Sequence, residues 1–189
     1  MPRPPGTLVA LVTFMCVAGL AVSAQQRRIY TNPHPDPELK KLFPAAVAFS
    51  PLSGEPLHFK VYGVDPKSNP SARPIGYVFW TTDMVPNEHG YHGPLHILVG
   101  LDLTGIITGI IVDYHSEPYG YFSVEPPEFP EQFKGKSIFD PYRVGEDIDA
   151  VSRASLTINS ATRAIRDGSR IMAKAFLDPA AVRRPATGK

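Results

Sequence analysis

Between residues 95 and 114 the side chains follow a spacing of two, broken once by Leu103-Thr104-Gly105. Leu95, Ile97, Val99, Leu101 and Leu103 alternate with His96, Leu98, Gly100 and Asp102, and Ile106 to Tyr114 returns after the turn. Successive residues of a strand point to opposite faces, so the pattern predicts an antiparallel hairpin. Gly100 and Gly109 inside its strands imply either close approach by another element or a strong bend. A core that includes this stretch has to be built on a sheet.

A second stretch changes the period. After Asp147, the run Asp149-Ala150-Val151-Ser152-Arg153-Ala154-Ser155-Leu156-Thr157 leads into Ile158, Ala161, Ile165, Ser169, Met172 and Phe176, spaced by three, four and seven. Arg163, Arg166, Asp167, Arg170 and Lys174 fall between them, which predicts an amphipathic helix over Thr157–Phe176 with one face on the sheet. The start of a helix leaves about four backbone N–H groups unpaired at the positive end of its dipole, a setting that suits a phosphate. The same hydroxyls and carboxylate also suit ordinary helix capping.

The other elements are shorter. Pro37 to Ala46 reads as a brief helix interrupted by Pro44, Ser50 to Glu55 as a turn, and Leu57 to Val61 as a first strand. Val64 to Pro74 reads as an exposed loop. Ile75 to Thr82 is rich in aromatic and β-branched residues and reads as a strand, with Tyr77, Phe79 and Thr81 on one face and Val78, Trp80 and Thr82 on the other. Phe129, Phe133 and Phe139 should pin the Pro126–Arg143 segment onto the sheet as a long loop with a helical turn. The 21 prolines in 189 residues favour a loop-rich fold over a helical bundle. The expected architecture is α+β: a curved, half-barrel-like antiparallel sheet packed by a C-terminal helix.

The chain opens on Arg3, an apolar run from Leu8 to Val22, and Val22-Ser23-Ala24 before Gln25, the pattern of a cleaved export signal or, if retained, of a membrane anchor. Residues 25–37 read as a linker, 38–178 as the domain, and 179–189 as a disordered tail. The single cysteine, Cys16, falls inside the signal, so the mature domain would carry no thiol chemistry. With 19 basic and 18 acidic residues and no basic stripe, nothing suggests nucleic acid.

The Asp149–Thr157 segment resembles the flavin-attachment motif of the FMN-binding domain family, written Asp, two residues, Ser, Gly, Ala, Thr. Members occur in the C subunit of sodium-pumping NADH:quinone reductase, the G subunit of Rnf complexes and nitrous oxide reductase regulators. Asp149, Ser152 and Ala154 match; Arg153 stands in the glycine place and Ser155 in the place of the acceptor threonine. The Gly90-Tyr91-His92-Gly93 and His115-Ser116-Glu117-Pro118 loops follow the family's order. The resemblance implies FMN as cofactor, an ester at Ser155 with Thr157 as second candidate, and contacts from Ser152, Arg153, Ala154, Leu156, Tyr91, Gly93, His115 and Glu117. Arg153 either pairs with the phosphate or excludes a backbone conformation reserved for glycine.

The resemblance further implies an exported electron carrier rather than a stand-alone catalyst, periplasmic, either free or tethered to the inner membrane. Its partners would be redox proteins, some of them membrane-bound, and a flavin transferase for maturation. The alternative is a flavin-free or non-covalent sensory or assembly module for a periplasmic redox enzyme. Two other constellations compete. His89, His92 and His96 have metal-like spacing, but Gly90, Gly93 and Pro94 break any helix that would align them. His115 and Glu117 make an acid/base pair without an evident nucleophile.

Overall fold

The computed structural model describes residues 35–182. The expected signal or anchor, nearly all of the linker and the stretch 183–189 lie outside the described residues. Among the described residues no helix is long and apolar enough to cross a membrane.

Five strands form one open sheet in chain order, each antiparallel to its neighbour: β1 (Ala48–Phe49), β2 (Phe59–Tyr62), β3 (Pro74–Trp80), β4 (His96–Asp102) and β5 (Ile107–Tyr114). Among the described residues five helices accompany them: α1 (Asp36–Leu42), α2 (Thr81–Met84), α3 (Gly120–Ser123), α4 (Glu128–Glu131) and α5 (Ser155–Phe176). The fold is α+β, with α5 packed on one face of the sheet, as the two periodicities imply. On that face Tyr77 and Phe79 of β3, Ile97, Val99 and Leu101 of β4, and Ile107 and Ile110 of β5 share one core with Ile158, Ala161, Ile165 and Met172 of α5. Phe176, half-buried, sets its ring 4.3 Å from His58 and 5.2 Å from Tyr77.

The opposite face is sealed by α1, and the strand glycines explain how. Gly100 pairs with Gly109 across β4 and β5. A Cβ at Gly100 would lie 3.1 Å from Phe43 and 3.3 Å from Leu42, one at Gly109 3.2 Å from Leu42, and one at Gly76 2.6 Å from the Phe43 ring. A shallow track without side chains thus crosses three strands and receives Leu42 and Phe43. Of the two readings of those glycines, close approach by another element is the one realised here. Beside the track, Trp80 stacks on His96 with centroids 4.0 Å apart, and His96 Nδ1 lies 2.7 Å from the Thr82 hydroxyl. Burial lowers the His96 pKa to about 4.

Several boundaries differ from the sequence reading. The strand expected at 57–61 is present as β2, Phe59–Tyr62, but it is second: Ala48–Phe49 precedes it, two residues that carry too little pattern to see and that pairing of Ala48 with Tyr62 and Phe49 with Val61 makes a strand. Helix α1 begins at Asp36, inside the expected linker. Strand β3 stops at Trp80 because the Thr81 hydroxyl takes over the ladder: it donates to the Leu95 carbonyl (2.8 Å) and accepts from the Ile97 amide (3.0 Å), freeing the backbone to turn into α2. Phe139 is half exposed; Phe129, Phe133, Ile138 and Tyr142 hold the 126–143 segment. Arg170 of α5 ties that segment down by donating to the carbonyls of Ile138 (2.9 Å) and Asp140 (3.0 Å). Residues 179–182, expected as tail, form with Asp178 a hydrogen-bonded turn that packs Val182 against the core.

The seat of α1 is testable at Gly76, whose added Cβ would also meet the Leu101 carbonyl oxygen at 2.8 Å. Gly76→Ala should lower stability by about 1–3 kcal/mol, the usual cost of overpacking, read as a reduced urea midpoint at unchanged slope.

Candidate functional site

Three segments far apart in sequence meet at the entrance of α5. The helix starts at Ser155, two residues before the expected Thr157, with Ala154 as its cap residue. No side chain caps it, so the hydroxyls of Ser152, Ser155 and Thr157 do not play the ordinary capping role. The Ile158 amide is the first to bond back, to the Ala154 carbonyl at 3.0 Å. The amides of Ser155, Leu156 and Thr157, one turn earlier, are the positions a helix leaves for an incoming anion. Arg153, just outside, has φ 68°, the left-handed backbone that glycine takes freely and other residues rarely do.

A cavity of about 340 Å³ lies here, lined by Tyr91, Tyr119, Arg153, Ala154, Ser155, Leu156 and Thr157. Its lining residues are mixed: two tyrosines, a leucine and an alanine, one arginine, a serine and a threonine. Tyr91 stacks on His92 with centroids 4.9 Å apart, and Tyr119 packs against Phe122 at 5.5 Å. Both tyrosines keep much of their surface exposed, as does Leu156.

Glu117 joins the three segments. Its buried carboxylate accepts the Thr157 hydroxyl from α5, the Tyr91 amide at 2.9 Å and the His92 amide at 2.8 Å. Burial alone would push its pKa up. The hydrogen bonds from Thr157 and from the amides of His92, Tyr91 and Gly93 outweigh burial and hold it below the ordinary value. The loop closes on itself through the Gly90 amide, which donates to the Gly93 carbonyl at 2.7 Å. A Cβ at Gly90 would sit 2.7 Å from the Glu117 carboxyl carbon, so only glycine lets the loop wrap the carboxylate.

Of the residues singled out from the sequence, Tyr91, Arg153, Ala154, Ser155, Leu156 and Thr157 line the cavity. Gly93 and Glu117 stand behind its wall and shape it through the loop. Ser152 is exposed outside it, and His115 is turned away. The His115 ring lies over Gly120, receives the Glu117 amide on Nδ1 at 3.2 Å and faces Glu125 across 3.1 Å at Nε2. An acid/base pairing of His115 with Glu117 through their side chains is therefore not what is built. Tyr119, not among the contacts that the resemblance implies, also lines the cavity. The signal was its place two residues after Glu117, which brings it to the cavity as soon as Glu117 is anchored. His89, His92 and His96 do not converge, and among the described residues no group of three metal-ligating side chains does.

The two hydroxyls of α5 differ in availability. Thr157 is buried and its proton is committed to Glu117; Ser155 is exposed, and its hydroxyl makes no hydrogen bond within the described residues.

Because Glu117 has a lowered pKa in the folded protein, its contribution to stability is complete above the unfolded value of about 4.5 and is lost as pH falls through the lower folded value. Glu117→Gln should remove that acid-side slope, cost roughly 1–3 kcal/mol by setting an amide group against backbone donors, and speed exchange of the Tyr91 and His92 amides. Urea midpoints from pH 3 to 7 and hydrogen exchange check it; an unchanged slope would assign the acid transition to other carboxylates.

Comparison with known proteins adds one match and one blank. No curated protein matches the chain. The model of the FMN-binding domain family matches residues 90–169. That stretch includes every cavity-lining residue, the glycine loop and Glu117. Residues 90–169 of this chain thus match the FMN-binding domain family, and that match indicates FMN as the cofactor.

Proposed function

We propose that the protein is an exported electron-transfer domain that carries FMN as a phosphoester on Ser155. The observation that carries the reading is the exposed Ser155 hydroxyl at the first residue of α5, on the wall of a cavity that also holds two tyrosine rings. The cavity suits such a group. Its volume is at the low end of the ~300–1,000 Å³ common for small-molecule sites. The tyrosines offer flat apolar surface, and the helix entrance and Arg153 offer positive potential for a phosphate.

When bound, FMN supplies one- or two-electron redox chemistry that no side chain here has. The chain's own part is to hold and orient. Glu117 locks the Tyr91 loop against α5, Ala154 and Leu156 form the apolar rim, and Ser155 provides the oxygen through which the cofactor is tethered. Thr157 is the weaker acceptor because esterification would remove the proton it gives to the buried Glu117 carboxylate. Serine offers the same nucleophilic oxygen as the threonine of the family motif. A tether suits a compartment outside the cytoplasm, where a weakly held cofactor would be lost by mass action. Redox proteins, some of them at the membrane, are the partners, and a flavin transferase is the maturation factor.

The test is denaturing electrophoresis of the full chain purified from cells that contain a flavin transferase. Yellow fluorescence should migrate with the polypeptide, vanish in Ser155→Ala and persist in Thr157→Ala. The reverse pattern would move the ester two residues along, and flavin that washes away on denaturation would leave a dissociable carrier.

A further inference from the structure

We propose that Arg153 is the counter-ion of the flavin phosphate in this chain, a positioning residue whose guanidinium makes the site prefer FMN to an uncharged flavin. The proposal rests on the flavin reading of the cavity and extends it to a residue that departs from the family motif.

Three observations support it. Arg153 is one of the residues that line the cavity, together with Ser155 at the mouth of α5. Its guanidinium has no carboxylate or carbonyl partner within the described residues, whereas Arg163 donates to Glu88, Arg166 to Asp167 and Arg170 to two carbonyls. Its backbone holds φ 68°, a conformation that disfavours any side chain, and glycine would relieve it at once. The chain thus keeps a long cation where the backbone favours no side chain, and leaves that cation unused by the protein.

Phosphate chemistry uses what is left open. A guanidinium presents a planar fork of donors that matches two phosphate oxygens, and the first-turn amides of α5 supply donors from another side. Riboflavin has the same ring system without the phosphate, so it gains nothing from Arg153. Loss of the side chain should therefore separate the two flavins, while a purely structural role would not.

The experiment titrates the full chain, produced without attached flavin, with FMN and with riboflavin, following flavin fluorescence at low and at moderate salt. The wild type should bind FMN more tightly than riboflavin, by roughly 10- to 100-fold at low salt, with the margin shrinking as salt rises. Arg153→Gly should bring FMN to the riboflavin level, leave riboflavin unchanged and leave the thermal midpoint equal or higher. Arg153→Lys should keep part of the margin. Equal weakening of both flavins in Arg153→Gly, or no weakening of FMN, would overturn the proposal. A wild type that shows no preference for FMN over riboflavin, or binds neither, would also overturn the proposal, whereas the flavin reading itself fails separately, if chain from transferase-containing cells carries no flavin.

Discussion

A carboxylate withdrawn from water needs donors in place of the water it loses, and Glu117 takes them from two directions at once. The amides come from a glycine-bounded loop before β4, the hydroxyl from the first turn of α5. Since Glu117 itself lies after β5, one side chain fixes the relative position of three segments that the sheet alone would leave independent. The cavity is the space between them. Its dimensions depend less on the tyrosines that line it than on the carboxylate behind it, which is also why the Gly90 position has no room for a Cβ.

The sheet beneath the site works by the same economy of space. Glycines in adjacent strands form a track into which Leu42 and Phe43 fit, and on the other face the long helix covers a continuous apolar surface. Both faces of β3 and β4 are therefore closed, and α5 is held rigidly enough to present its N-terminal turn as a fixed wall. A site that must seat an anion benefits from that rigidity, because the helix amides are then aimed before the ligand arrives.

Much of this was legible in the residues. The β4–β5 hairpin and α5 followed from period two giving way to the helical period, since each repeats long enough to outweigh local noise. The segment 153–157 was legible through its resemblance to the family's attachment motif, since hydroxyls directly before an apolar stripe by themselves suit ordinary capping. What failed was of another kind. Strand β1 is two residues long, the end of β3 is set by one threonine hydroxyl reaching across to β4, and Phe139 alternates out of register with the buried Ile138 and Tyr142. Such features are decided by tertiary partners, not by local pattern. His115 and Glu117, adjacent in motif and alike in promise, separate for the same reason: the turn into α3 packs the imidazole on Gly120 and sends the carboxylate inward.

The order of the strands bears on where this domain can be cut. The family match begins at residue 90, yet β3 ends at Trp80 and pairs with β4 from Leu98 to Asp102. Tyr77 and Phe79 fill the core against α5, and Glu88 receives Arg163 from the middle of that helix. At the far end Met172 and Phe176 pack beyond residue 169, where the match stops. The boundaries of the family match and the cooperative folding unit are thus different objects. A fragment trimmed to the former would expose a bare strand edge and half a core, so any transplant of this cofactor module has to carry α1 at one end and the last turn of α5 at the other.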